Sequence, residues 1–577
     1  MSNANGFVDS QYVISPDKKW VAYLADAETD NLNELYVSKL DGSVIGKKIS
    51  PAANDNARTI DNIVWSPDST KVAYISDQEI LHTLELYVSS VNGGIGVKVS
   101  ADPQTGRENN TDLYNRMATS AIESERTSDL VQWAPDGSRI AYLADWDTND
   151  IYELYTTTPD GNANVVKVSN ATTSASLAFK NKRQSFAWSP DSSKIAYRLA
   201  TDGSSKVQIY VADPTATSST TQVNPDMPGL GETVYEFEWA PDSSKIAFTF
   251  FVPSQGDRAL FVLPPKSHGA NTVNWTPLSP QPTHASASEV MYFSWAPDSS
   301  RIAYVADLEG NASYELFTIQ PGSTASNVRV SGDTSYQGLK ADGSAAFSWS
   351  PDGQYIAYLS YQQYNNVQEL FASTPDGSSN VKLSGPLSSS KNIWKFAWSP
   401  DSGHVAYIGD QNYDGVDELF VSPIAGASGS GPASNPRLNP DLVSGGNIDR
   451  TYLQWTADSQ RVLYYADQEV DAQLEFYSST RDGNTNNVKV SEPVPMSFAN
   501  DIYPSLSACS GCHGSGAAHP WYAASASGTY NNMANESYFN NNFIVDKLDG
   551  TVSHSGGTYT SIATAFSQWI SEGANNN

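Results

Sequence analysis

Only two cysteines occur among the 577 residues, and both stand in Cys509-Ser510-Gly511-Cys512-His513. The C-x-x-C-H spacing suits covalent attachment of a c-type haem. Two thiols add across the two haem vinyl groups, and the histidine beside the second thiol falls under the iron as its proximal ligand. A structural zinc site would need four ligands, and there is no second cysteine pair to supply them. A thioredoxin-like dithiol opens a helix within a βαβ unit, a context absent here. The sequence therefore predicts one covalent haem c on Cys509 and Cys512, with His513 on the iron.

For the opposite face of the iron the first candidate is His554, 41 residues after His513. Met533 is the alternative, His519 is close to the attachment loop, and an open sixth position is a further reading. With two strong ligands the iron would carry electrons without binding substrate. After His554, Ile562, Phe566, Trp569 and Ile570 recur at i, i+4, i+7 and i+8, the pattern of one helix face, and Gly573 is placed to end that helix.

The stretch resembles a class I type cytochrome c domain. The resemblance rests on Cys509-Ser510-Gly511-Cys512-His513-Gly514, Lys547-Leu548-Asp549-Gly550, His554-Ser555-Gly556-Gly557 and Trp569-Ile570-Ser571-Glu572-Gly573-Ala574. In that family a loop ahead of the C-terminal helix gives the distal ligand, usually Met. Here that loop carries His554, a departure from the pattern. The resemblance implies a small all-α electron-transfer domain at residues 508–577, after a linker at 491–507 that holds three prolines.

Residues 1–490 repeat. Each unit reads apolar-x-Trp-Ser-Pro-Asp-Ser, then Ile-Ala-Tyr, an acidic loop, and Glu-Leu-Tyr-Val-Ser. The turn proline recurs at Pro16, Pro67, Pro135, Pro190, Pro241, Pro297, Pro351 and Pro400, and a ninth unit has Ala457-Asp458 there. Trp65, Trp133, Trp188, Trp239, Trp295, Trp349, Trp398 and Trp455 stand two residues before the turn, with Ile14 in the first unit. A period near 50 means a propeller or a solenoid. Short β-rich runs between Pro-Asp and Asp-Gly turns predict four strands per unit, hence one blade each. Pro presets φ and Asp caps the backbone of the turn. The expected fold is an all-β propeller of nine blades, with eight as the fallback. The units resemble TolB-type propeller repeats, which implies a ring that binds proteins or small ligands at the ends of its channel. The longest spacing predicts an insertion at Asp102 to Ser128.

The net charge of -29 argues against nucleic acid and anionic membrane surfaces. No apolar run reaches the roughly 18 residues of a membrane span. Haem attachment follows export, so the expected location is extracytoplasmic, periplasmic or at the cell surface, with a leader removed. Expected partners are a redox protein or other cytochromes, with self-assembly as an alternative.

Asp410-Gln411-Asn412-Tyr413-Asp414-Gly415 fits the start of a calcium loop, and Asp410, Asn412 and Asp414 are its candidate ligands. Asp145, Asp147 and Asn149 share the spacing. The twelfth position would be Val421 where a full loop has Glu, so a plain hairpin turn competes with Ca2+. His82, His268, His284 and His404 fall in separate repeats and form no paired motif. No G-x-S-x-G elbow or H-E-x-x-H motif occurs. The expected function is therefore an exported c-type cytochrome whose propeller docks a partner or builds an assembly. The alternative is a haem-containing oxidoreductase whose propeller oxidises a small substrate. No catalytic residue is singled out.

Overall fold

A computed structural model describes most of residues 8–489; outside it are residues 490–577 and inter-strand segments such as 26–33, 52–59, 102–129, 266–276 and 425–434. The chain divides into two units, residues 1–488 and 489–577. The first is an all-β propeller of nine antiparallel sheets. Each sheet is a blade drawn from one contiguous stretch: residues 8–48, 60–98, 131–167, 176–222, 234–263, 290–329, 347–382, 393–423 and 448–489. Nine blades, and not eight, match the nine turn motifs.

The repeat explains each blade. In the second strand an aromatic residue faces an aromatic of the third strand in direct register, as in Tyr74↔Tyr87 and Tyr358↔Phe371. All nine blades have such a pair, with centroids 5.4 to 5.9 Å apart and planes at 18° to 25°. Each stacked pair contributes roughly 0.5–1.5 kcal/mol beyond its buried area. The third strand usually opens on a buried Glu paired with a Lys or Arg of the segment beside it. Examples are Glu85 with Lys98, Glu153 with Lys167, and Glu369 with Lys382.

Among the described residues, four strands per blade hold in six sheets; two sheets have three strands and one has five. The blades of three are the fifth and the eighth. There Leu278 and Leu438 still donate their N–H groups to Leu260 and Leu419, but Pro277 and Pro436 precede them. Proline has no N–H to give a ladder, so the fourth strand shrinks to this one bond in the fifth blade and, in the eighth, to an isolated bridge in which the Val421 N–H also donates to the Pro436 carbonyl at 3.2 Å.

Neighbouring blades are joined by the tryptophans. The indole Nε1 of each donates to a first-strand carbonyl of the preceding blade, from Trp65 to Val13 through Trp455 to Ala397, at 2.8 to 3.3 Å. A second link lies in the Pro-Asp turn. Its fourth residue has positive φ in all nine blades: Lys18, Ser69, Gly137, Ser192, Ser243, Ser299, Gly353, Ser402 and Ser459, at 57° to 73°. Where this residue is Ser, its hydroxyl accepts the backbone N–H of the turn Asp in the preceding blade, as with Asp191 and Ser243 at 3.0 Å.

Among the described residues, the ninth and first blades meet with no shared strand. Tyr12 and Tyr465 meet through their hydroxyls at 2.8 Å, and the Lys18 ammonium donates to the Trp455 carbonyl at 3.3 Å. At this seam Ile14 replaces the tryptophan and Lys18 the serine, so both repeated links are lost. Consistently, Tyr23 keeps partial exposure while Tyr74, Tyr142, Tyr197, Tyr304, Tyr358, Tyr407 and Tyr464 are fully buried.

Candidate functional site

First strands of neighbouring blades approach one another, Ile60–Trp65 with Val131–Trp133 and Ile393–Trp398 with Ile448–Trp455. Their convergence puts them on the axial side of the ring. Six of the nine first strands shift register through a bulge or irregularity. In the eighth blade Ile393 pairs with Gly409 and Lys395 with Ile408, so Trp394 is the extra residue. Gly409 lets the two strands close up just before it: a Cβ there would lie 2.5 Å from the Asn392 carbonyl oxygen. A bulge re-aims a side chain that regular pleating would pack between blades.

Trp394 lies beneath Arg450 of the ninth blade, whose guanidinium carbon is 3.9 Å from the ring centroid. Arg450 Nε donates to Asp417 Oδ2 at 2.5 Å. Asp417 is fixed in turn: its N–H donates to Asn447 Oδ1 at 3.0 Å, and its carbonyl accepts the Ile448 N–H at 3.0 Å. Asp417 Oδ1 and Trp394 Nε1 are buried without a partner. The fifth and sixth blades hold a related group, with Arg258 4.7 Å over the Tyr235 ring and its Nη2 on Met291 Sδ at 3.7 Å. Nearby, burial and the adjacent Glu236 raise the Glu238 carboxyl to about 7, opposed by the Trp295 backbone N–H.

Cys509, Cys512, His513, His519, Met533 and His554 lie outside the described residues, as do the expected terminal helix, the 102–128 insertion and Asp145, Asp147 and Asn149. The Asp410 turn is described. Asp410 Oδ1 accepts the Asn392 N–H at 2.5 Å and Oδ2 the Gly415 N–H at 3.2 Å. The Lys391 ammonium takes the carbonyls of Gln411 and Asn412 at 3.0 and 2.7 Å. Asn412 and Asp414 are exposed. The carboxylate thus caps its own turn, and a lysine holds two carbonyls of that loop. Among the described residues no group of three or more His, Cys, Asp or Glu side chains is placed to hold a metal ion. His404 opens a second strand, half-buried, 6.4 Å from the Trp455 ring, and burial together with Arg481 lowers its pKa.

Sequence reasoning missed Trp394, Asp417 and Arg450. They lie in no common motif, and only the packing of the eighth blade on the ninth brings them together.

Residues 22–274 match the family described as the dipeptidyl peptidase IV (DPP IV) N-terminal region. Similar solved structures include a Porphyromonas gingivalis dipeptidyl peptidase 4, at 10% identity and TM-score 0.44, over 85% of this chain and 60% of that one. A prolyl endopeptidase structure matches at 11% identity and TM-score 0.36, over 81% of this chain and 55% of the other. A eukaryotic initiation factor matches at 12% identity and TM-score 0.36, over 83% and 87%. The chain thus spans little more than half the length of the two peptidase chains. No curated protein sequence matches it.

The family match corrects the functional expectation. The sequence led to an electron-transferring cytochrome, with a haem-linked oxidoreductase as the alternative. The matched stretch is instead like the N-terminal region of a peptidase, so the electron-transfer and oxidoreductase readings are both set aside. The reason is one of weight: they hung on short motifs within residues 508–577, whereas the family match spans the blades through the fifth.

Proposed function

We propose that this chain is a peptidase-type propeller whose ring receives and sorts polypeptide for a hydrolytic centre. The observation that carries this reading is the match of residues 22–274 to the N-terminal region of dipeptidyl peptidase IV. A ring with aromatic and charged side chains re-aimed by axial bulges suits that role, because polypeptides offer both apolar and charged groups to bind. The TolB-type likeness of the repeats also favours a binding ring. The repeats carry no G-x-S-x-G elbow, so the nucleophile would come from outside them. Two assays test the proposal: cleavage of dipeptidyl p-nitroanilides, and capture of a permanently unfolded polypeptide such as carboxymethylated lactalbumin. Cleavage or capture supports it. Failure of both overturns it.

Three further proposals rest on sequence motifs alone. Cys509 and Cys512 would hold a haem c, with His513 and His554 toward its iron, and a pyridine haemochrome spectrum after acid-acetone extraction decides this. Asp410, Asn412 and Asp414 would contribute to a Ca2+ site, which calcium titration by calorimetry decides. An extracytoplasmic location follows from haem attachment and is tested by cell fractionation.

A further inference from the structure

We propose that Arg450, braced by Trp394 and Asp417 across the eighth and ninth blades, is a receptor for a carboxylate group of a bound polypeptide. The naming of a polypeptide rests on the function proposed above; the carboxylate chemistry rests on the geometry alone.

A guanidinium offers five N–H donors in a planar fork. Here one face of the fork lies on the Trp394 ring at 3.9 Å. Its Nε is held by Asp417 Oδ2 at 2.5 Å. Among the described residues, no acceptor is bonded to Nη1 or Nη2. The Arg450 side chain is 49% exposed, whereas Asp417 is 7% exposed. The carboxylate that anchors Nε is therefore buried, while about half of the arginine side chain is open to solvent.

A purely structural bridge between blades would close differently. Arg–carboxylate pairs are commonly bidentate, with two parallel N–H···O bonds. In this pair Asp417 Oδ1 is buried with no partner although the arginine is adjacent. The contact is made end-on through Nε, which leaves both terminal nitrogens for another acceptor. A fork fixed by stacking and by one ion pair loses little freedom on binding, so a bidentate anion is favoured.

Neighbouring cations do not compete. The Lys395 ammonium is bonded to the Thr451 carbonyl, and Lys391 to the carbonyls of Gln411 and Asn412. One guanidinium suits one carboxylate. The net charge of -29 disfavours a polyanion. A polypeptide has two sources of this group, its C-terminus and its acidic side chains.

The test is calorimetric titration of the full chain. N-acetylglycylglycine presents a C-terminal carboxylate, its C-terminal amide presents none, and N-acetylglutamate amide presents a side-chain carboxylate. The site is expected to bind one or both carboxylates and not the amide, and the two carboxylates identify the source. Arg450→Met should weaken binding about tenfold or more. Arg450→Lys should recover only part of it, because an ammonium lacks the fork. Arg481→Met serves as the control substitution, and near-ultraviolet circular dichroism checks folding. Absence of carboxylate binding by the unaltered chain, or equal binding by folded Arg450→Met, overturns the proposal. Capture of unfolded polypeptide that ignores Arg450 would sink the carboxylate site and leave the proposed function standing. Carboxylate binding that needs Arg450, with no polypeptide cleaved or captured, would do the reverse.

Discussion

The Tyr12 hydroxyl lies 2.8 Å from the Tyr465 hydroxyl, 453 residues later in the chain, and joins the first blade to the last. At this seam the described residues supply no shared strand, no tryptophan bridge and no serine link. What the described residues place across it is this pair and Lys18 on the Trp455 carbonyl; beside it, within the ninth blade, the rings of Tyr452, Tyr465 and Phe476 pack at 4.9 to 5.6 Å from one another. Tyr465→Phe should cost about 1 kcal/mol, the net worth of one hydrogen bond. Amide hydrogen exchange should then quicken first in the first and ninth blades. Equal quickening in the fourth and fifth blades would show that the seam is not the weakest joint.

The serine links set two effects against each other. Ser243 sits at φ 61°, in the left-handed region, and its hydroxyl accepts the Asp191 N–H at 3.0 Å. Left-handed backbone costs a non-glycine residue roughly 1–2 kcal/mol, and the hydrogen bond returns about 1 kcal/mol. Ser243→Gly removes both and should be nearly neutral. Ser243→Ala keeps the strain and loses the bond, so it should destabilise by about 1 kcal/mol. Urea denaturation of the two variants checks the order. The third and seventh blades already carry the glycine solution at Gly137 and Gly353.

Glu369 and Lys382 form a buried pair, with side chains 0% and 4% exposed. Removing one partner of such a pair strands the other charge and costs roughly 3–5 kcal/mol. Lys382→Met should destabilise on that scale, while Lys382→Met with Glu369→Leu should recover most of the loss. Melting temperatures of the single and double variants decide it. A double variant no better than the single would show that the strands need the charges themselves.

Much of the ring was legible because each blade solves the same problem with the same residues. The turn proline, the tryptophan and the paired aromatics recur at fixed offsets, so nine units and short strands could be read directly. The fifth and eighth blades broke the four-strand rule through Pro277 and Pro436, whose missing N–H groups were visible but carried no weight without the register. The role of the turn serine was hidden, because Ser69 or Ser402 reads as an ordinary turn residue until its φ and its neighbour's N–H are known. Trp394, Asp417 and Arg450 could not be found at all. Their meeting depends on a bulge and on the packing of two blades. The Cys509 motif drew the functional reading because its chemistry is local in sequence and its two cysteines occur nowhere else.

Glu238 gives the ring a pH response with a definite sign. Its pKa is raised from the usual carboxylate range to about 7 by burial, with Glu236 adding repulsion and the Trp295 backbone N–H opposing. In the unfolded chain it titrates near 4.5. A raised pKa means that the folded state holds this proton more tightly. The stabilising contribution is therefore complete below about 4.5 and is lost as pH rises through about 7. Glu238→Gln keeps the side-chain shape and removes the titration. The variant should be more stable than the unaltered chain at pH 8, and the difference should shrink as pH falls from 7 toward 5. Chemical denaturation at a series of pH values measures it. A stability difference that stays constant between pH 5 and 8 would mean that Glu238 titrates as an ordinary surface carboxylate.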